Sequence, residues 1–226
     1  MELEAYKKRY KQDDAVGWEC IDQQLGKVYG KAPFRHYAPP IHYRLGGEDP
    51  IDGSSVYDNE NQVFHRHIVS YGMSSLYYDE ESAASEFSGW GFEFTMRVAP
   101  FLGDPDGDGC KNEPYWAMAV MNNLARYVYS SKRWFEPYHY TPANGPIRLE
   151  TETLLTALAF VPDPELASIS TPHGQLDFLQ MVGLTDAEYK WVSQDSTTGR
   201  CQQLMDLMRN DNALLITDIT RKHSYV

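Results

Sequence analysis

The sequence predicts an α+β domain with a mixed or antiparallel sheet flanked by helices, and three observations predict it. Trp90, Phe92, Phe94, Met96 and Val98 alternate with Gly91, Glu93, Thr95 and Arg97, the two-residue period of a strand with one face in a core. Ala117, Met121, Leu124 and Val128 recur at helical spacing, giving a helix with a broad apolar face between Pro114 and Ser131 that should lie against the sheet. Leu154–Val161 and Gln175–Leu184 are nearly continuous in apolar character, as strands covered on both faces are. With no repeat, low-complexity tract or linker-like shift of composition, one domain over residues 1–226 is expected.

Taken in order, Ala15–Tyr29 carries Val16, Ile21, Leu25 and Val28 and ends at Gly30, a helix with its C-terminal glycine. Pro33, Pro39 and Pro40 end that pattern, and the turn formers of Leu45–Gly53 predict a loop between extended segments. Val63–Tyr71, β-branched and aromatic, predicts a strand. On the Trp90–Val98 strand, Trp90, Phe92 and Phe94 face the core, while Glu93 lies on the opposite face, which is wet or pairs with something. Thr185-Asp-Ala-Glu188 has the spacing of a capping box and opens a helix through Val192. Leu204, Leu207 and Met208 mark a short last helix, and Ala213–Ile219 a final strand.

Charge narrows the function. Lys and Arg number 20 against 32 Asp and Glu, and the net charge of −12 repels phosphate backbones and anionic lipid, so neither nucleic acid nor a membrane is an expected partner. The charged Met1–Asp14 segment does not resemble a secretory signal, and no stretch approaches the ~18–20 apolar residues of a membrane span, so a cytoplasmic location is expected. Cys20, Cys110 and Cys201 are scattered, which signals neither a disulfide framework nor a zinc site.

Catalytic motifs are sparse. Gly46-Gly47 lacks the lysine of a phosphate loop, Gly89-Trp-Gly91 lacks a third glycine and opens a strand, and no nucleophile elbow surrounds Ser74. His65 and His67 share one strand face, where they are either structural histidines or two ligands of a metal-dependent hydrolase completed by an acidic residue such as Glu93. The third ligand is not identifiable, so no metal or other cofactor is expected. Asp104, Asp106 and Asp108 alternate as in the start of a calcium loop, but Tyr115 occupies position twelve where a bidentate Glu belongs, so calcium binding should be weak or absent. Thirty aromatic residues, sixteen of them Tyr, exceed what packing needs and suggest a surface for a neutral or basic protein partner.

Several segments carry a family resemblance. Leu45-Gly-Gly-Glu-Asp-Pro-Ile-Asp-Gly53, His65-Arg-His-Ile-Val-Ser-Tyr-Gly72 and Ser88-Gly-Trp-Gly-Phe-Glu-Phe-Thr-Met-Arg97 resemble the suppressor of fused domain. Asn123–Val128, Phe160–Pro164, Thr171–Gly174, Phe178–Gly183 and Leu215–Asp218 continue it in the same order, over about residues 16–221. The resemblance implies a non-enzymatic, protein-binding α+β fold. Animal members sequester zinc-finger transcription factors, gripping an extended peptide between this domain and a second one. Shorter, single-domain bacterial members are associated with immunity to a cognate toxin, and this chain resembles those; a structural subunit of a larger assembly is the alternative reading. Arg66 stands where the family usually has an aromatic residue, and Tyr138 precedes His139 where the animal proteins carry an acidic one. Of the animal peptide site only Tyr127 and His139 transfer, and Tyr138 joins them as a candidate anchor for a protein partner that is basic at its contact face.

Overall fold

The computed structural model describes residues 2–107 and 109–226. Five helices and eight strands are seen: α1 (Leu3–Arg9), α2 (Val16–Tyr29), β1 (Phe34–Tyr37), β2 (Gly53–Asn59), β3 (His65–Tyr71), β4 (Phe87–Val98), α3 (Tyr115–Ser131), β5 (Tyr140–Pro142), β6 (Leu155–Pro162), β7 (Ile169–Thr171), β8 (Gly174–Thr185), α4 (Asp186–Val192) and α5 (Gly199–Arg209). The strands form one sheet in the order β1-β2-β3-β4-β8-β6-β5, with β7 paired to β8. The β4–β8 pair is parallel and the other pairs are antiparallel, so the sheet is mixed.

Alternation along the strands decides which helix covers which face. Phe92, Phe94, Met96 and Val98 of β4 join Leu179 and Met181 of β8 and Leu158 and Phe160 of β6 under Ala117, Met121, Ala125 and Val128 of α3. The opposite face holds two separate apolar clusters. At the β2–β3 end Tyr57, Val69 and Tyr71 pack on Ile21 and Leu25 of α2, and at the β6 end Ala157, Ala159, Val161, Val182 and Leu184 pack on α4 and α5. Between them the sheet presents buried polar groups: His67, Thr95, Arg97 and Gln180 are all fully buried.

Local chemistry fixes the element ends. Gly30 closes α2 at φ 59°, and Lys132 closes α3 in the left-handed region. The Thr185–Glu188 capping box forms in both directions, with Glu188 N–H donating to Thr185 Oγ1 at 3.2 Å and Thr185 N–H to Glu188 Oε2 at 2.7 Å. Gly17 lies so close to the 75–76 turn that a Cβ would stand 2.0 Å from the Ser75 carbonyl oxygen.

Ala213–Ile219 is not the strand the sequence predicts. It makes a single parallel bridge, Thr217 to Val98, and stops there. Leu215 takes φ 52°, and the Asn212 side chain accepts from Ile216 N–H and donates to its carbonyl, curling the chain into a turn that cannot extend. The N-terminal helix α1 is not foreshadowed by periodicity. One residue docks it: the Tyr6 hydroxyl is hydrogen-bonded to His173 Nε2 at 2.7 Å and accepts from Asp79 N–H at 3.0 Å.

Candidate functional site

One concavity follows from a defect in the sheet. β4 and β8 pair at Phe87–Gln175 and again at Phe92–Asp177, so five steps of β4 run beside two of β8. The surplus is bulged out by Gly89 and Gly91, at φ 57° and 84°, and a Cβ on Gly89 would lie 2.6 Å from the Met73 carbonyl oxygen. The strands part, and a cleft of about 650 Å³ opens, lined by Phe87, Trp90, Phe92, Trp134, Phe135 and Phe178. Glu136, Asp163 and Asp177 also line it, with no Lys, Arg or His. Phe87 and Trp134 form its lips and are about half exposed, at 52% and 54%.

Trp134 and Phe135 also line a second pocket, of about 460 Å³, together with Tyr127, Tyr138 and His139. The structure therefore brings the three predicted partner-binding residues together. Tyr127 is 44% exposed, its ring 5.9 Å from that of Phe135, which in turn stacks on Phe160 at 4.1 Å. Tyr138 holds φ 68°, a costly conformation for a bulky residue, and is kept there by its N–H donating to Phe160 O and by Phe160 N–H donating to His139 O at 2.9 Å.

Behind the cleft lies the buried polar seam, whose hub is Asp163. Its carboxylate accepts from Arg97 at 2.7 and 3.1 Å, from Thr95 Oγ1 at 2.7 Å and from Glu165 and Leu166 N–H at 2.9 Å, with His67 Nε2 at 3.1 Å. Arg97 also donates to Gln180 and, at 2.9 Å, to Glu165. The Tyr29 hydroxyl lies 2.6 Å from His67 Nδ1 and accepts from Asn59. A neutral His67, accepting at Nδ1 from Tyr29 and donating at Nε2 to Asp163, satisfies every one of these bonds. Burial, reinforced by the Arg97 charge, pushes the His67 pKa down to about 4. Burial alone would raise the Asp163 carboxyl, but the hydrogen bond from His67 and the charge and hydrogen bonds of Arg97 hold it well below the usual carboxylate range.

The profile of the family described as Suppressor of fused protein (SUFU) matches residues 47–222. The chain belongs to that family. It is 31% identical over 190 residues to the Suppressor of fused homologs of Homo sapiens and of Mus musculus, a stretch that covers 80% of this chain and 38% of each relative. It thus spans well under half the length of these curated relatives. The crystal structure of the Sufu–Fu complex contains a chain that superposes with TM-score 0.82 at 26% identity, covering 93% of both chains. Drosophila Suppressor of Fused superposes with TM-score 0.81 at 27% identity over 93% of this chain and 51% of the other. A SUFU homolog from Neisseria gonorrhoeae, at 12% identity and TM-score 0.61, shares the fold.

Within this SUFU domain the histidine–carboxylate set weighed from sequence is dispersed into separate networks. Both ring nitrogens of His67 are engaged, and Nδ1 of His65 is hydrogen-bonded to the Val63 carbonyl. Glu93, on the face opposite Phe92 and Phe94, is fully buried and anchors the turn after β3: Ser70 Oγ, Ser74 Oγ and the N–H groups of Gly72, Met73 and Ser74 all donate to it. Trp90 is half-buried in the cleft wall and packs against the core from there. In the acidic loop, Asp104 accepts from Arg148 at 2.9 Å and Asp106 pairs with Lys111, while Asp108 lies outside the described residues. No cluster of three metal-ligating side chains occurs among the described residues, and no described helix is long and apolar enough to cross a membrane.

Sequence reasoning missed Asp163 as a hub, and with it Tyr29, Asn59 and Gln180, which bond to His67, Glu165 and Arg97 around it. A signal for Arg97 exists: Glu93, Thr95 and Arg97 alternate along a strand whose other face is apolar, at the centre of the sheet, and charges buried there must be paired internally.

Proposed function

We propose that this chain is a non-enzymatic protein-binding domain that sequesters or neutralises a protein partner in the cytoplasm, as an immunity protein does to its cognate toxin. The observation that carries the reading is the match, over 93% of both chains, to the chain crystallised in the Sufu–Fu complex. The surface supports it: the exposed aromatic groups of Tyr127, Trp134 and Phe87 supply large, rigid contact area around two adjoining concavities. The reading needs no cofactor, and His67, Asp163 and Glu93 are committed to internal hydrogen bonds rather than aimed at a substrate. With net charge −12, the partner is one that is basic at its contact face.

The test is affinity capture from the source cell, followed by titration of the purified partner against the purified chain at several salt concentrations. A single protein partner is expected, with association slowed by salt more than dissociation is accelerated. A partner whose association rate ignores salt would remove the electrostatic part of the reading. Failure to recover any partner that binds the purified chain would remove the whole.

A further inference from the structure

We infer that the cleft beside the Gly89–Gly91 bulge is an anchor site for an arginine side chain presented by the protein partner, an inference that rests on the protein-binding reading above. Three properties of the cleft select that group. Its walls are aromatic, and its lips, Phe87 and Trp134, leave ring faces open to solvent. Its lining carries carboxylates and no cation. Of those carboxylates Asp163 is neutralised from behind by Arg97, which leaves Glu136 and Asp177 to set the field inside.

Glu136 accepts from the Trp134 indole at 3.2 Å and has His139 Nε2 at 3.7 Å, so it stands at the junction of the two concavities. Asp177 is half-buried where β4 rejoins β8 and has no ion pair among the described residues. An apolar occupant would cover that carboxylate without compensating it, and an acidic one would be repelled. An ammonium group would satisfy the charge but is strongly hydrated and stacks poorly. A guanidinium is planar, weakly hydrated and always charged; it can stack on a Trp or Phe face while its edge donates to a carboxylate. The volume of about 650 Å³ leaves room for the residues flanking the arginine, as a peptide segment requires.

The full chain, followed by NMR through its Trp indole N–H signals, should be titrated with Nα-acetyl-arginine N-methylamide and with its neutral isostere, Nα-acetyl-citrulline N-methylamide. The arginine probe is expected to shift the Trp90 and Trp134 signals saturably, with the citrulline probe weaker by about fivefold or more. Asp177→Asn should weaken the arginine probe by a similar factor, and if that variant fails to fold, Glu136→Gln, at an exposed position, serves in its place. Equal affinity for the two probes, shifts confined to Trp18, Trp116 or Trp191, or a folded Asp177→Asn protein with unchanged affinity would overturn the inference. So would binding of free L-arginine without binding of the blocked probe, because an arginine within a polypeptide has no free termini. These titrations need no partner. A saturable arginine site in a chain that captures no protein leaves an arginine-binding cleft but defeats the protein-binding reading and the anchor role with it, whereas a captured partner indifferent to Asp177→Asn defeats the anchor alone.

Discussion

On one side of β4, Phe92, Phe94, Met96 and Val98 sink under α3; on the other, Glu93, Thr95 and Arg97 are buried just as completely, but each is held by hydrogen bonds. The two sides answer to different physics. Apolar packing is non-directional and adjusts to a change of shape at modest cost, whereas a buried charge stripped of its partner has nowhere to turn. The contrast also explains how one face of the sheet can carry two apolar clusters: the seam between them keeps α2 on one cluster and α4 with α5 on the other, and it places Asp163, which lines the cleft, under the control of Arg97.

Arg97→Leu is the sharpest way to break the seam. Although leucine is apolar and the site is buried, the change leaves Asp163 without its cation, and a loss of about 3–5 kcal/mol is expected in urea denaturation. A loss below 1 kcal/mol would mean that water enters the seam and that the two faces of β4 are less different than their burial implies.

Acid should act on the seam next. The folded pKa of His67 is about 4, below its ordinary value of 6.5, so the unfolded chain takes up the proton first. Stability contributed by the neutral ring is complete above about pH 6.5 and is lost as pH falls from there towards 4, by up to about 3 kcal/mol. The depressed pKa of Asp163 adds a separate loss that begins below the ordinary carboxylate value. His36, His65 and His173 are also lowered by burial and act with the same sign as His67, so His67→Gln should reduce the slope of stability between pH 6.5 and 4 without abolishing it. An unchanged slope in denaturant melts across that range would show that His67 is charged in the fold.

The apolar side was legible in the sequence because it is periodic. The β4 series, the α3 spacing and the Thr185–Glu188 box each predict their element and face, since each is a local pattern that tertiary structure merely completes. The seam was not, because its members come from α2, β2, β3, β4, β8 and the loop after β6, and no local period joins Tyr29 to Asp163. The cleft was half legible. Gly89 and Gly91 are visible as a pair, but that they bulge a central strand depends on the Met73 carbonyl lying across Gly89. The 213–219 segment misled because its apolar run serves two short anchors, Leu215 in the α5 cluster and Ile219 under α3, rather than one strand.

Glu93→Ala tests whether the seam extends to the turn after β3. Five donors lose their acceptor, and a cost of about 2–3 kcal/mol is expected for the buried ones that water cannot reach. Phe94→Leu, three residues from Arg97 in sequence but on the apolar face, should cost only about 1 kcal/mol, because the neighbouring side chains can close around a smaller apolar group. If melts rank Phe94→Leu above Glu93→Ala, the asymmetry between the faces is reversed.

The smallest stability effect belongs to Tyr127. Val128 and Ala125 carry the core contacts of this turn of α3, while Tyr127, at 44% exposure, leans on Phe135 from outside. Tyr127→Ala should therefore shift stability by about 0.5 kcal/mol or less. Its ring nonetheless forms part of the wall shared with Tyr138 and His139, so the same substitution should weaken capture of the partner by the factor of ten or more that a contact anchor carries. Affinity falls while stability holds only if the residue belongs to a recognition surface. A marked fall in melting temperature would make Tyr127 a packing residue of α3, and unchanged partner affinity in a stable Tyr127→Ala protein would move the contact face away from this pocket.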